Sequence, residues 1–132
     1  MRKKLLYFGG IFALLSVILG AFGAHGLKAL ISADQLQTYH TGVKYQFYHS
    51  FALILMGILL HLPYFVDNKF IHRAGILFII GICLFSGSVY LLATRDVIGL
   101  TSWKWLGPIT PLGGLTFMMG WISFLIGVSK SK

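Results

Sequence analysis

Glutamate is missing from this chain, and its only acids are Asp34, Asp67 and Asp96. None of the three falls within a long apolar run, so the carboxylates that usually serve as proton relays or cation sites inside membranes have no candidate here. A single cysteine, Cys83, excludes an intrachain disulfide and any thiolate metal motif, and its place in an apolar run predicts a small buried side chain. No low-complexity linker or internal repeat divides the sequence. What is present is apolar: 57% of the 132 residues are hydrophobic, against eleven Lys and Arg. A soluble domain of this size could not hide that much apolar surface, whereas a bilayer accommodates it. The formal charge of +8 sits at the ends of apolar runs and forms no basic stripe with interleaved aromatics. That arrangement points to membrane-surface anchors and away from nucleic acid.

Four apolar runs reach the length needed to cross a bilayer, about 20 residues at 1.5 Å each. They cover 5–24, 43–62, 74–93 and 111–128. The first, preceded by Met1-Arg2-Lys3-Lys4, is longer than the apolar core of a signal peptide and is read as a retained helix. The expected fold is therefore all-α, a polytopic four-helix bundle forming one membrane domain over 1–132. Seven of the eleven cations (Arg2, Lys3, Lys4, Lys69, Arg73, Lys130, Lys132) share one side, and four (Lys28, Lys44, Arg95, Lys104) share the other. The positive-inside rule then puts both termini in the cytoplasm. Trp103 and Trp105 flank the third loop as an interfacial belt does.

Alternating helices bring the end of the first span, the start of the second, the end of the third and the start of the fourth to one face. The unusual residues gather there. In GAFGAHGL, Gly20, Gly23 and Gly26 offer close helix approach or a C-cap, and His25 is either a capping histidine or a ligand and proton-handling group. Ser32 and Gln35 have capping-box spacing, so the second helix is expected to begin before the membrane. His49 lies roughly 9 Å past Val43 by helical rise, with Tyr45 and Gln46 able to share its face. An imidazole at that depth must be hydrogen-bonded within the bundle, as a polar clamp or as a functional site, and both readings stand. In the third span Ser86 and Tyr90 share a face, Ser88 points elsewhere and Gly87 thins the helix. Thr110 and Pro111 read as N-cap and first helical residue, with Gly113 and Gly114 allowing close approach behind them.

GAFGAHGL, YQFYHSFAL, FSGSVYLLA and LGPITPLGG…GW occur in this order across nearly the whole chain. Together they resemble the DUF423 (UPF0382) family of small membrane proteins. The resemblance implies a four-helix integral membrane protein, multi-pass in the bacterial plasma membrane, with no established biochemical activity. Its recurring residues fall on His25, Gln46, His49, Ser86, Gly87, Ser88, Tyr90, Thr110, Pro111, Gly113, Gly114, Gly120 and Trp121. The third loop, TRDVIGLTSWKW, departs from the pattern in length and aromatic content.

The reading that follows is a non-enzymatic structural or interaction protein with an outer-half polar cluster of His25, Gln46, His49, Ser86, Tyr90 and Thr110. Its expected partners are the lipid bilayer and a further copy or another membrane protein, and no metal or cofactor is assigned. The alternative is a small transporter or channel for a neutral or anionic solute, with His49, Gln46 and Tyr90 lining its path. Two further readings are a hydrolase in which His49 activates Ser86 or Ser88, and a haem held between His25 and His49.

Overall fold

The computed structural model of the chain describes residues 2–100, 102 and 105–131. Trp103, Lys104 and Lys132, read above as belt and flanking cations, lie outside the described residues. Among those described, the elements are α1 (Arg2–His25), α2 (Ala33–Leu59), α3 (Lys69–Gly81), α4 (Gly87–Thr94) and α5 (Leu106–Ser129). A π turn over Ile82–Ser86 joins α3 and α4 into one rod, so there are four rods in all. Arg2–Ala29, Lys69–Thr94 and Leu106–Ser129 are long and apolar enough to cross a membrane. With 27 residues α2 has the length, but Lys44, Gln46, His49 and Ser50 interrupt its apolar sequence.

Local chemistry explains where α2 starts. The Ser32 hydroxyl accepts from the Gln35 N–H while the Gln35 side chain accepts from the Ser32 N–H, satisfying two donors that a helix start leaves free. Gln35 also donates to Asp96, tying this end to the loop after α4. The last helix departs from expectation. It begins at Leu106 rather than Pro111, and Thr110 is an internal residue rather than the N-cap. Pro108 lies in the first turn, where an N–H has no helical partner anyway, and Pro111 costs only the bond to the Gly107 carbonyl near the exposed end. Buried Leu106 anchors the added turn.

The rods pack antiparallel in two pairs. Between α1 and α2, Gly9 lies against Ser50 and Ile54, Gly23 against Tyr39 and Gly57 against Leu6. Between α5 and α3, Gly113, Gly120 and Gly127 stand seven residues apart opposite Phe85, Phe78 and Ile71, which are also seven apart. A Cβ added to Gly120 would sit 2.5 Å from the Phe78 ring, and one added to Gly113 would meet the Phe85 backbone itself. Seven residues is the period at which one helix face keeps meeting its neighbour, and small residues there let the axes close in.

A large apolar core around Leu5, Leu53, Met56, Ile71, Phe78 and Phe117 fills one part of the bundle, and a small one of Leu27, Tyr39 and Ala93 fills another. The outer faces are apolar too, for example Ile11, Leu14 and Ile18 on α1 and Leu112, Leu115, Met118 and Leu125 on α5. Cys83, expected to be buried, is exposed on such a face. Lipid and protein interior are equally apolar, so hydropathy does not say which of the two a residue meets.

Candidate functional site

Gln46 is the centre of the polar residues. Buried on α2, it donates through Nε2 to the Phe12 carbonyl of α1 (2.9 Å) and accepts through Oε1 from the Tyr90 hydroxyl of α4 (2.8 Å). One amide thus joins three helices. One turn earlier, Gly42 has no side chain to block the Tyr90 ring, and its carbonyl accepts from the fully buried Ser86 hydroxyl (2.8 Å). Tyr39, a further turn back, donates to the Leu19 carbonyl of α1 (2.9 Å) and packs beside Tyr90.

His49 is bonded separately. Its Nδ1 lies 2.8 Å from the Tyr45 carbonyl and its Nε2 lies 3.2 Å from the indole nitrogen of Trp121 on α5. A carbonyl only accepts and an indole N–H only donates, so the ring carries its proton on Nδ1 and offers a lone pair at Nε2. Both nitrogens are then occupied. The ring stacks on Phe117 with centroids 3.6 Å apart, and Phe78 meets it edge-on at 5.0 Å. Tyr45 leaves this group: it is 42% exposed and its ring lies over Phe85.

Ser88 and Thr110 form a third contact, 2.7 Å apart between α4 and α5, while Ser88 also reaches the Phe85 carbonyl. The π turn sets this geometry. Its five residues separate α3, which faces α5, from α4, where Ser86 and Tyr90 turn to α2. His25 lies apart from all of these, exposed at the end of α1 with Nδ1 3.0 Å from the Ala21 carbonyl.

Of the six expected residues, Gln46 and Tyr90 bond to each other, Ser86 reaches the adjoining turn of α2, Thr110 meets Ser88, His49 meets Trp121 and His25 meets none of the others. No serine hydroxyl reaches His49: Ser86 is spent on Gly42, and Ser88 on Phe85 and Thr110. A haem between His25 and His49 meets an exposed residue on one side and an imidazole with both nitrogens engaged on the other. Among the described residues no three His, Cys, Asp or Glu side chains converge as metal ligands.

The expected packing glycines divide in the same way. Gly23 and Gly113 lie hard against a neighbour, and Gly20 and Gly114 touch Val43 and Phe85. Gly26 meets only Phe22 of its own helix at φ −74°, and a Cβ at Gly87 would touch nothing, so neither packs helix on helix. The sequence reading missed Gly42, whose carbonyl and bare face receive Ser86 and Tyr90, and it gave no partner for His49. The sevenfold spacing of Gly113, Gly120 and Gly127 was the available signal for the α5 seam.

The family model described as "Protein of unknown function (DUF423)" matches residues 19–114. The UPF0382 membrane protein YwdK of Bacillus subtilis is 41% identical over 128 residues, 97% of this chain and 98% of that one. A UPF0382 membrane protein of Haemophilus influenzae is 39% identical over 132 residues, 100% of this chain and 98% of its own. No solved structure matches the chain.

Proposed function

The chain belongs to the DUF423 family, and we propose that it acts as a non-catalytic bundle of the bacterial cell membrane in which the polar residues clamp helices together. It is a multi-pass membrane protein, and its relatives carry no assigned activity in their names. In this reading the four rods form one membrane domain with four crossings and cytoplasmic termini. The distribution of cations supports that orientation, and the antiparallel packing of α2 on α1 supports its crossing with the others. Work is then done through the outer surface, by contact with lipid, another copy or a membrane partner.

One observation carries the clamp reading. Among the described residues, the one buried side-chain nitrogen or oxygen without a hydrogen-bond partner is Nδ1 of His72, near the opposite end of the bundle. Every buried polar side-chain atom of the cluster is therefore already bonded within the protein, as a structural network requires. A transport path or catalytic site needs polar groups free to meet a substrate.

The test removes a clamp in matched halves. Replacing Gln46→Leu together with Tyr90→Phe takes away donor and acceptor at once, which leaves no orphaned group. The paired variant is expected to fold, and to restore a chromosomal deletion strain as the parent does. A well-folded paired variant that behaves like the deletion would make the amide and phenol functional groups and end this reading. Labelling of single cysteines from both sides of the membrane checks the topology, and an odd number of crossings would refute it.

A further inference from the structure

At the end of the bundle that holds α3's start and α5's finish, three cations surround one ring. Lys130 Nζ lies 4.8 Å from the centroid of Phe70, and Lys69 Nζ and the Arg73 guanidinium each lie 5.8 Å from it. The ring's negative face attracts each of them, but three like charges also repel one another. Among the described residues the one ion pair is Arg95 with Asp96, near the other end, so no carboxylate neutralises this group.

Directly below the cations a groove of 260 Å³ opens between α3 and α5. Arg73 stands at its mouth, and Leu77, Met119, Ile122 and Ile126 form its walls. Ser123 also lines it, but its hydroxyl is spent on the Phe70 carbonyl. Apart from Arg73 the groove therefore offers no free polar side chain. Met119 and Ile122 are more than half exposed, so it is open from the side, the direction from which a bilayer-resident molecule arrives. Along α5, Lys130 to Met119 spans about 16 Å, close to the depth of one leaflet.

The geometry points to a binding site for an anionic phospholipid, with its phosphate among Arg73, Lys69 and Lys130 and an acyl chain in the groove. Basic pockets between membrane helices are suited to such headgroups. A soluble anion would satisfy the cations and leave the apolar walls unused. A second copy would need an acidic segment, and this chain has only Asp34, Asp67 and Asp96 to offer, two of them near the other end. The site is independent of the clamp proposal and of which compartment this end faces.

The test counts lipids retained by the purified full-length protein in neutral detergent, by native mass spectrometry, after exposure to phosphatidylglycerol or phosphatidylcholine of matched chains. Phosphatidylglycerol should be retained in preference. Arg73→Gln should weaken its retention about fivefold, the effect of one cation near a membrane surface, and Lys130→Gln provides a second variant at the same site. Lys4→Gln, which removes one charge at the same end, should leave retention unchanged, and Ile122→Trp should reduce it by filling the groove. Circular dichroism confirms that each variant remains helical. Equal retention of the two lipids, equal losses in Arg73→Gln and Lys4→Gln, or displacement by inorganic phosphate alone would overturn the site. So would a dimer that Lys130→Gln dissociates, because the groove would then hold a second copy.

Discussion

Two seams of the bundle solve the same problem by different means. Between α3 and α5, contact is mainly steric: Gly113, Gly120 and Gly127 accept a backbone, a phenyl ring and an isoleucine, and two side-chain bonds to carbonyls, from Ser123 and Asn68, secure the end. Between α2 and α4, contact is mainly polar: Ser86 and Tyr90 cross to the Gly42 carbonyl and the Gln46 amide. Water does not drive helices together inside lipid, so close packing and hydrogen bonds must do it. Comparing the seams teaches that each substitutes for the other. A close glycine seam needs few polar groups, and a seam held by hydrogen bonds can do with fewer glycines.

The contrast can be broken most severely at Gly113. Gly113→Leu should cost about 3 kcal/mol or more, because its new atoms meet the Phe85 backbone, which cannot yield as a flexible side chain does. Thermal unfolding of the detergent-extracted protein measures this, and tolerance of leucine there would remove the steric account of the seam. Next comes His49→Ala, expected to cost about 2 kcal/mol by opening a space among Phe78, Phe117 and Trp121 and leaving the indole N–H unpaired. His61→Ala, at an exposed histidine bonded to the Gly57 carbonyl, is the control and should change little. Equal effects of the two histidine changes would remove the case for a special role of His49. A smaller effect belongs to the polar seam. A double-mutant cycle of Gln46→Leu and Tyr90→Phe should give a coupling of about 0.6 to 1.7 kcal/mol, the range for hydrogen bonds within membranes. Zero coupling would mean that the bond contributes no stability. Smallest of all, Ser123→Ala should cost about 0.5 kcal/mol by the same unfolding assay, because glycine packing holds the α3–α5 seam without it.

Much of this architecture was legible in residue spacing. Apolar length gave three membrane-capable rods, and alternation of direction put Gln46 within reach of Tyr90 although 44 residues separate them. Ser32 and Gln35 announced the start of α2 because capping chemistry is local. Other features were hidden for equally physical reasons. The start of α5 was misread because Thr110-Pro111 has the pattern of a helix entrance, while buried Leu106 and a proline-tolerant first turn extend the helix beyond it. The pairing of Trp121 with His49 joins different rods, and no local pattern signals it. Cys83 was placed inside because a lipid-facing residue and a core residue have the same hydropathy. The π turn at 82–86 left no mark, since the ICLFS segment is as apolar as its surroundings.

That turn sets a constraint on the length of the chain. A residue added to or removed from a loop is absorbed by the loop, but one removed between Ile82 and Ser86 restores regular pitch and swings everything beyond it by about 100° around the rod axis. Ser86 and Tyr90 would leave α2, and Ser88 would leave Thr110, without any of them having been altered. The rod thus counts residues as well as composition, and an insertion or deletion here is a heavier change than a substitution at the same place.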